Sequence, residues 1–238
     1  MAKPPRPWIV TPHQPIVKHE DNLWSVAGPV PGVAGIDRRM AIVKLPDGKL
    51  LFYNAVPLDE AALREVQAFG QPAYLVIANF AHCIDGVAFR DRLGLKVYGP
   101  ASDQKLPGRI KLDGHLGDLP KSPAAALEEV EGCKLGEPLL TVGSGPDHAR
   151  KTLVFSDALM NMPNGPGLRG FIFKLMGFTP GPRVATPWRM MFVNDKAALR
   201  AAYARWAKTP GLVRLLPTHG DVIDTDPAGA LATAAATF

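Results

Sequence analysis

The sequence predicts an α/β fold whose strands hand polar side chains to loops. Three short apolar runs, residues 73–78 (AYLVIA), 152–155 (TLVF) and 212–216 (LVRLL), have the length and the β-branched or aromatic content of buried strands. Each is followed within a few residues by a group able to hold a metal or move a proton: His82, Asp157 and His219 in turn. Stretches of helical spacing separate the runs, which is the alternation of an α/β chain. Side chains just past buried strands are held by rigid backbone and face the crevice where such sheets place ligands. One shared crevice is the economical reading.

Residues 1–21 are rich in proline and aperiodic, which predicts an extended arm over the surface with His13 and His19 solvated. The arm starts with positive charge, but no apolar stretch follows of the kind a signal peptide requires. Residues 22–26 read as a first strand. Residues 39–45 and 49–54 flank Pro46-Asp47-Gly48, a strong β-hairpin signal. Residues 58–69 carry apolar side chains at helical spacing, with acids at the start and Gly70 and Pro72 at the end, so they predict a helix. The strand at 73–78, a short helix at 87–93 and a strand at 95–98 then make a crossover unit with parallel pairing. Residues 99–122, which contain His115, are loop-like. A strand at 137–142 turns through 143–148 into the run at 152–155. Residues 195–207 (DKAALRAAYARWA) predict an amphipathic helix whose Leu199, Ala202, Tyr203 and Trp206 pack on a core. Residues 227–238 are a last helix or a frayed tail. Residues 22–238 form one domain on this reading.

With 238 residues, the chain is long enough to bury a sizeable core without staples. An apolar fraction of 47% and a charged fraction of 21% exclude a disordered chain. The two cysteines, Cys83 and Cys133, provide neither a disulfide framework nor a CxxC pair, which predicts a reducing, cytoplasmic setting. No apolar stretch is long enough to span a membrane. The net charge of +5 is unevenly placed: between Met162 and Arg214, nine basic residues stand against Asp195 alone, a local +8 that leaves −3 for the rest. Single-sign patches steer anions, so an anionic small-molecule substrate fits, and no recognised nucleic-acid motif accompanies the charge. Residues 162–187 mix Gly, Pro, basic and exposed-looking apolar residues. Their structural reading is a helical hairpin or a long loop; their functional readings are a lid, a homodimer contact or an amphipathic surface that touches membrane.

Every candidate site residue also has a structural reading. His219 is a ligand or an imidazole hydrogen-bonded inside a tight loop. Asp157 is a ligand or the N-cap of a following helix, and Asp85 is a catalytic carboxylate or the cap of the helix after it. His82 is a candidate metal ligand, Cys83 is a soft donor that burial would leave inert, and His115 is a weaker candidate. Gly143-Ser144-Gly145 is no nucleophile elbow, and Gly28 to Gly32 lacks a Walker lysine, which removes those two chemistries.

Four ordered runs together resemble one known family. They are Arg39-Met-Ala-Ile-Val-Lys-Leu-Pro-Asp-Gly48, Ala78-Asn-Phe-Ala-His-Cys83, Lys151-Thr-Leu-Val-Phe-Ser-Asp-Ala-Leu-Met-Asn161 and Leu216-Pro-Thr-His-Gly-Asp221. As a set, they resemble a divergent, uncharacterised branch of the metallo-β-lactamase superfamily, over roughly residues 22–223. The resemblance implies a four-layer αββα sandwich with a metal at its mouth and, by matching positions, His82, His148, Asp157 and His219 as ligands, with Asp157, His219 and Asp85 as catalytic groups. It further implies a metal-dependent hydrolase in which a metal-bound water attacks an ester, amide or phosphoester. The chain departs from the family at its main ligand motif, because HxHxDH is absent around His82. That departure limits the expectation to at most one Zn or Fe ion. It keeps open the alternative of a metal-free or metal-poor binding or scaffold protein on the same fold.

Overall fold

The computed structural model describes residues 7–238, so the first six residues of the expected arm lie outside the described residues. The chain divides into two compact units, one running to Ala126 and the other from Leu127 to Phe238.

The first unit is built on a seven-stranded sheet whose strands lie side by side in chain order. β1 (Val17–Glu20), β2 (Leu23–Pro29), β3 (Asp37–Lys44) and β4 (Lys49–Tyr53) pair antiparallel. The hairpin between β3 and β4 turns where Pro46-Asp47-Gly48 predicts it, with Gly48 at φ 81°, a conformation glycine adopts at little cost. β5 (Gln71–Val76), β6 (Lys96–Gly99) and the two-residue β7 (Gly114–His115) then add in parallel. Parallel pairing needs crossovers, and the first two are helices: α1 (Glu60–Phe69) and α2 (Gly86–Leu93). α1 starts where Asp59 accepts the backbone N–H of Ala62, the expected acidic start acting as an N-cap. The core packs Val26, Met40, Ile42, Leu50, Phe52 and Leu75 of the sheet against Leu63 and Val66 of α1 and Phe89 of α2. The arm differs from expectation at residues 17–20, which add to the sheet as its edge strand β1. Before that strand, Trp8 stacks on Phe89 and its indole N–H donates to the Leu58 carbonyl. His13 and His19 are likewise engaged, with His13 Nε2 accepting the N–H of Asp59 and His19 Nε2 at 2.8 Å from Ser25 Oγ.

The second unit has a four-stranded sheet in the order β11-β10-β9-β8, with β8 at Ala125–Glu129, β9 at Pro138–Ser144, β10 at Arg150–Phe155 and β11 at Leu212–Pro217. β9 and β10 are antiparallel, whereas β10 and β11 are parallel. Between these last two run α3 (Gly167–Leu175), α4 (Thr186–Phe192) and α5 (Lys196–Trp206). Leu199, Ala202, Tyr203 and Trp206 of α5 are buried, and Trp206 meets Phe155 edge to face. The closing α6 (Pro227–Ala235) is capped by Asp226 and packs on α5, so the tail is a docked helix. Among the described residues, no helix is long and apolar enough to cross a membrane.

Candidate functional site

Strand pairing brings Asp157 and His219 together. β10 and β11 run parallel with Phe155 opposite Pro217, and each chain continues by two residues before presenting its polar side chain. The continuation stays in register, since the N–H of Thr218 donates to the Phe155 carbonyl. Asp157 Oδ1 and His219 Nε2 end 3.5 Å apart, with both side chains under 10% exposed. The loops that carry them are laced to each other: the N–H of Asn161 donates to the His219 carbonyl, and the N–H of Asp221 donates to that of Asn161. Gly220 between them sits at φ 93°, where a Cβ would fall 2.1 Å from the Asn161 carbonyl oxygen, so this loop requires glycine.

Two residues that sequence reasoning missed hold the Asp157 loop from behind. Glu137, fully buried just before β9, accepts the Ala158 N–H on Oε1 at 3.0 Å. Tyr203 of α5, also fully buried, donates its hydroxyl to the Ala158 carbonyl. The residue next to Asp157 is therefore fixed at both its N–H and its C=O. Burial, and then the neighbouring Asp157 carboxylate, push the Glu137 acid well above its usual 4.5. Burial raises the Tyr203 hydroxyl and the Cys133 thiol in the same region. The only sequence signal for Glu137 was an acid at the head of an otherwise apolar strand.

In the first unit, His82 is 7% exposed in the turn after β5. Asn79 shapes that turn, with its side chain accepting the N–H of Ala81 and its carbonyl accepting the N–H of His82. Cys83 donates its thiol to the Phe80 carbonyl, and burial raises its pKa, so it is not a primed thiolate.

Two expected site residues are placed differently. Asp85, anticipated as a catalytic carboxylate, pairs with the Arg38 guanidinium, with both side chains almost wholly buried. It stands at the N-cap position of α2 without a capping side-chain bond. Asp85 is thus the ion-pair partner of a buried guanidinium rather than a side-chain cap of α2. His148, anticipated as a ligand beside Asp157, lies before β10, whereas Asp157 lies after it. A six-residue strand separates them by about 20 Å, and the His148 ring Nδ1 is 3.2 Å from the Gly143 carbonyl oxygen within its own turn. His115 is an exposed residue at the edge strand β7.

The Asp157–His219 spacing fits a shared metal ion. Two donors bound to one tetrahedral zinc at about 2.0–2.1 Å stand about 3.3–3.4 Å from each other, close to the 3.5 Å found. A carboxylate oxygen and an imidazole nitrogen are also a donor set that zinc and iron accept.

No protein-family model matches the chain, and no curated protein matches it in sequence. Solved structures do. A metallo-β-lactamase from Pontibacter korlensis superposes with a TM-score of 0.61 at 10% identity, covering 94% of this chain and 99% of its own. The metallo-β-lactamase FIM-1 from Pseudomonas aeruginosa, solved in its mono-zinc form, gives 0.59 at 11% identity, covering 96% of each chain. A metallo-β-lactamase from Hirschia baltica gives 0.58 at 12% identity, over 94% of this chain and 97% of its own. At such identities, the likeness is one of fold, and it agrees with the αββα class expected from the sequence resemblance.

Proposed function

On a chain with the metallo-β-lactamase fold, we propose a metal-dependent hydrolase with a single zinc or iron ion, acting on an ester, amide or phosphoester of a small molecule. The observation that carries the reading is the pair of buried donors, Asp157 Oδ1 and His219 Nε2, 3.5 Å apart at matched ends of parallel strands. His82, buried and able to offer an imidazole nitrogen, is proposed as the third donor on the strength of its position after a sheet strand. Three protein ligands with one open position is the donor count of catalytic zinc sites. When bound, such an ion supplies Lewis acidity and lowers the pKa of water toward neutrality.

The rest is the work of this chain's own groups. Asp157 contributes negative charge that offsets the cation, and His219 contributes a neutral donor whose backbone is tied down by Asn161. Glu137 and Tyr203 keep the Asp157 loop from relaxing, so that the donors stay positioned without reorganisation. The local basic charge of 162–214 supports an anionic substrate. Two free cysteines support a reducing compartment.

A second reading, a metal-free binding protein on the same fold, is favoured by two observations: the HxHxDH motif is absent, and Asp85 is committed to Arg38. Metal content separates the two. Protein purified without chelator or a metal column is expected to carry near-stoichiometric zinc or iron by plasma mass spectrometry, with loss in His219→Ala and in His82→Ala. Metal near zero in the parent chain, unchanged after incubation with Zn²⁺ or Fe²⁺, rejects the hydrolase. Retention of full metal in His82→Ala rejects only the third donor.

A further inference from the structure

The helix α3 is amphipathic in the reverse of the usual sense. At 100° per residue, Leu168, Phe171, Ile172 and Leu175 share one face, an arc about 100° wide, and that face looks outward: Leu168 is 75%, Phe171 63% and Leu175 77% exposed. The opposite side carries Gly170, which is buried so closely that a Cβ there would fall 1.8 Å from the Gly165 carbonyl oxygen. Arg169 and Lys174 are exposed on the two flanks between these faces. A helix that packs on its own core turns its apolar stripe inward, and α3 turns it toward solvent. In α4, whose first residue Thr186 abuts Gly177 just past α3, Met190 and Met191 are exposed as well.

The flanking charge determines what can cover this face. From Met162 to Asn194 every charged residue is basic. A symmetric contact between two copies would lay the same patch on itself and set the cations flanking one ridge, Arg169 and Lys174, against the cations flanking the other. An apolar ridge flanked by cations is instead complementary to a surface that is apolar beneath and anionic above. A nine-residue helix, about 14 Å long, is too short to span a bilayer, so it would lie in the interface plane. We propose that the exposed face of α3 docks this protein on an anionic lipid bilayer, with Leu168, Phe171, Ile172 and Leu175 inserted and Arg169 and Lys174 at the headgroups. The proposal is independent of the metal.

The test is co-sedimentation of the full chain with vesicles of phosphatidylcholine alone or with one-fifth phosphatidylglycerol. At low salt, at least tenfold stronger partition to the anionic vesicles is expected, weakening several-fold at 300 mM NaCl as screening sets in. The double variant Phe171→Ser/Leu175→Ser should reduce that partition at least tenfold with an unchanged circular dichroism spectrum, because both side chains face solvent. Arg169→Glu/Lys174→Glu should abolish the preference for anionic lipid. Equal partition to both vesicles, or none to either, overturns the proposal whatever the variants do. So does a dimer by sedimentation velocity that Phe171→Ser/Leu175→Ser dissociates while the parent chain ignores vesicles, since the face would then be a self-contact.

Discussion

Asp85 and Glu137 are both buried carboxyl groups, and their neighbours give them opposite characters. Asp85 faces a guanidinium, so removing it strands the Arg38 charge in the core. Asp85→Ala is expected to cost about 3–5 kcal/mol in urea unfolding, and Asp85→Leu combined with Arg38→Met should recover most of that. Glu137 faces the negative Asp157, and its pKa lies above 4.5 in the folded chain. The folded state therefore holds a proton there that the unfolded chain releases once the pH passes about 4.5, and stability falls as pH rises from that point until the folded group itself ionises. In chelator-treated protein, the parent chain should lose up to about 1.4 kcal/mol per pH unit across this window relative to Glu137→Gln, read from urea midpoints. A parallel pH dependence in both proteins would exclude the linkage. His82, Asp157 and His219 were legible in the sequence because each follows an apolar strand run, and a strand end is a local signal. The Arg38–Asp85 pair spans 47 residues, and Glu137 and Tyr203 reach Ala158 from 21 and 45 residues away. No periodicity encodes such distances.

At the scale of elements, local rules had most to work with. The hairpin turn at Gly48, the capped α1, the crossover through α2 and the buried stripe of α5 all follow from spacing, caps and turn residues within a dozen positions. The cap of α5 is itself testable: Asp195 accepts the Ala198 N–H, so Asp195→Ala should cost about 1 kcal/mol by thermal unfolding, with Asp195→Asn nearly neutral. Equal loss in both variants would point to charge rather than the cap. Two elements were not legible. β1 has only four residues, two of them exposed, and is a strand only because β2 offers it an edge to pair with. The segment 162–187 left hairpin and loop open, because its glycines and prolines break any long period; it forms one short helix, α3, whose apolar residues are spaced as for a core yet exposed, and then runs as loop to the start of α4.

At the scale of the whole molecule, the comparisons place the chain on a fold it shares with enzymes only 10–12% identical to it. That fold survives such divergence because it depends on the pattern of apolar and polar positions rather than on particular residues. The sequence by itself determined the alternation of strands and helices, the α/β class and the three strand-end groups, since these rest on periods of two and 3.6 residues and on turn chemistry. Only the tertiary structure decided which of the candidates lie side by side. Parallel pairing of β10 with β11 sets Asp157 beside His219, the length of β10 keeps His148 apart from Asp157, and a buried guanidinium pairs with Asp85. Those outcomes are fixed by register and by the need to neutralise buried charge, and both depend on contacts between residues far apart in the chain.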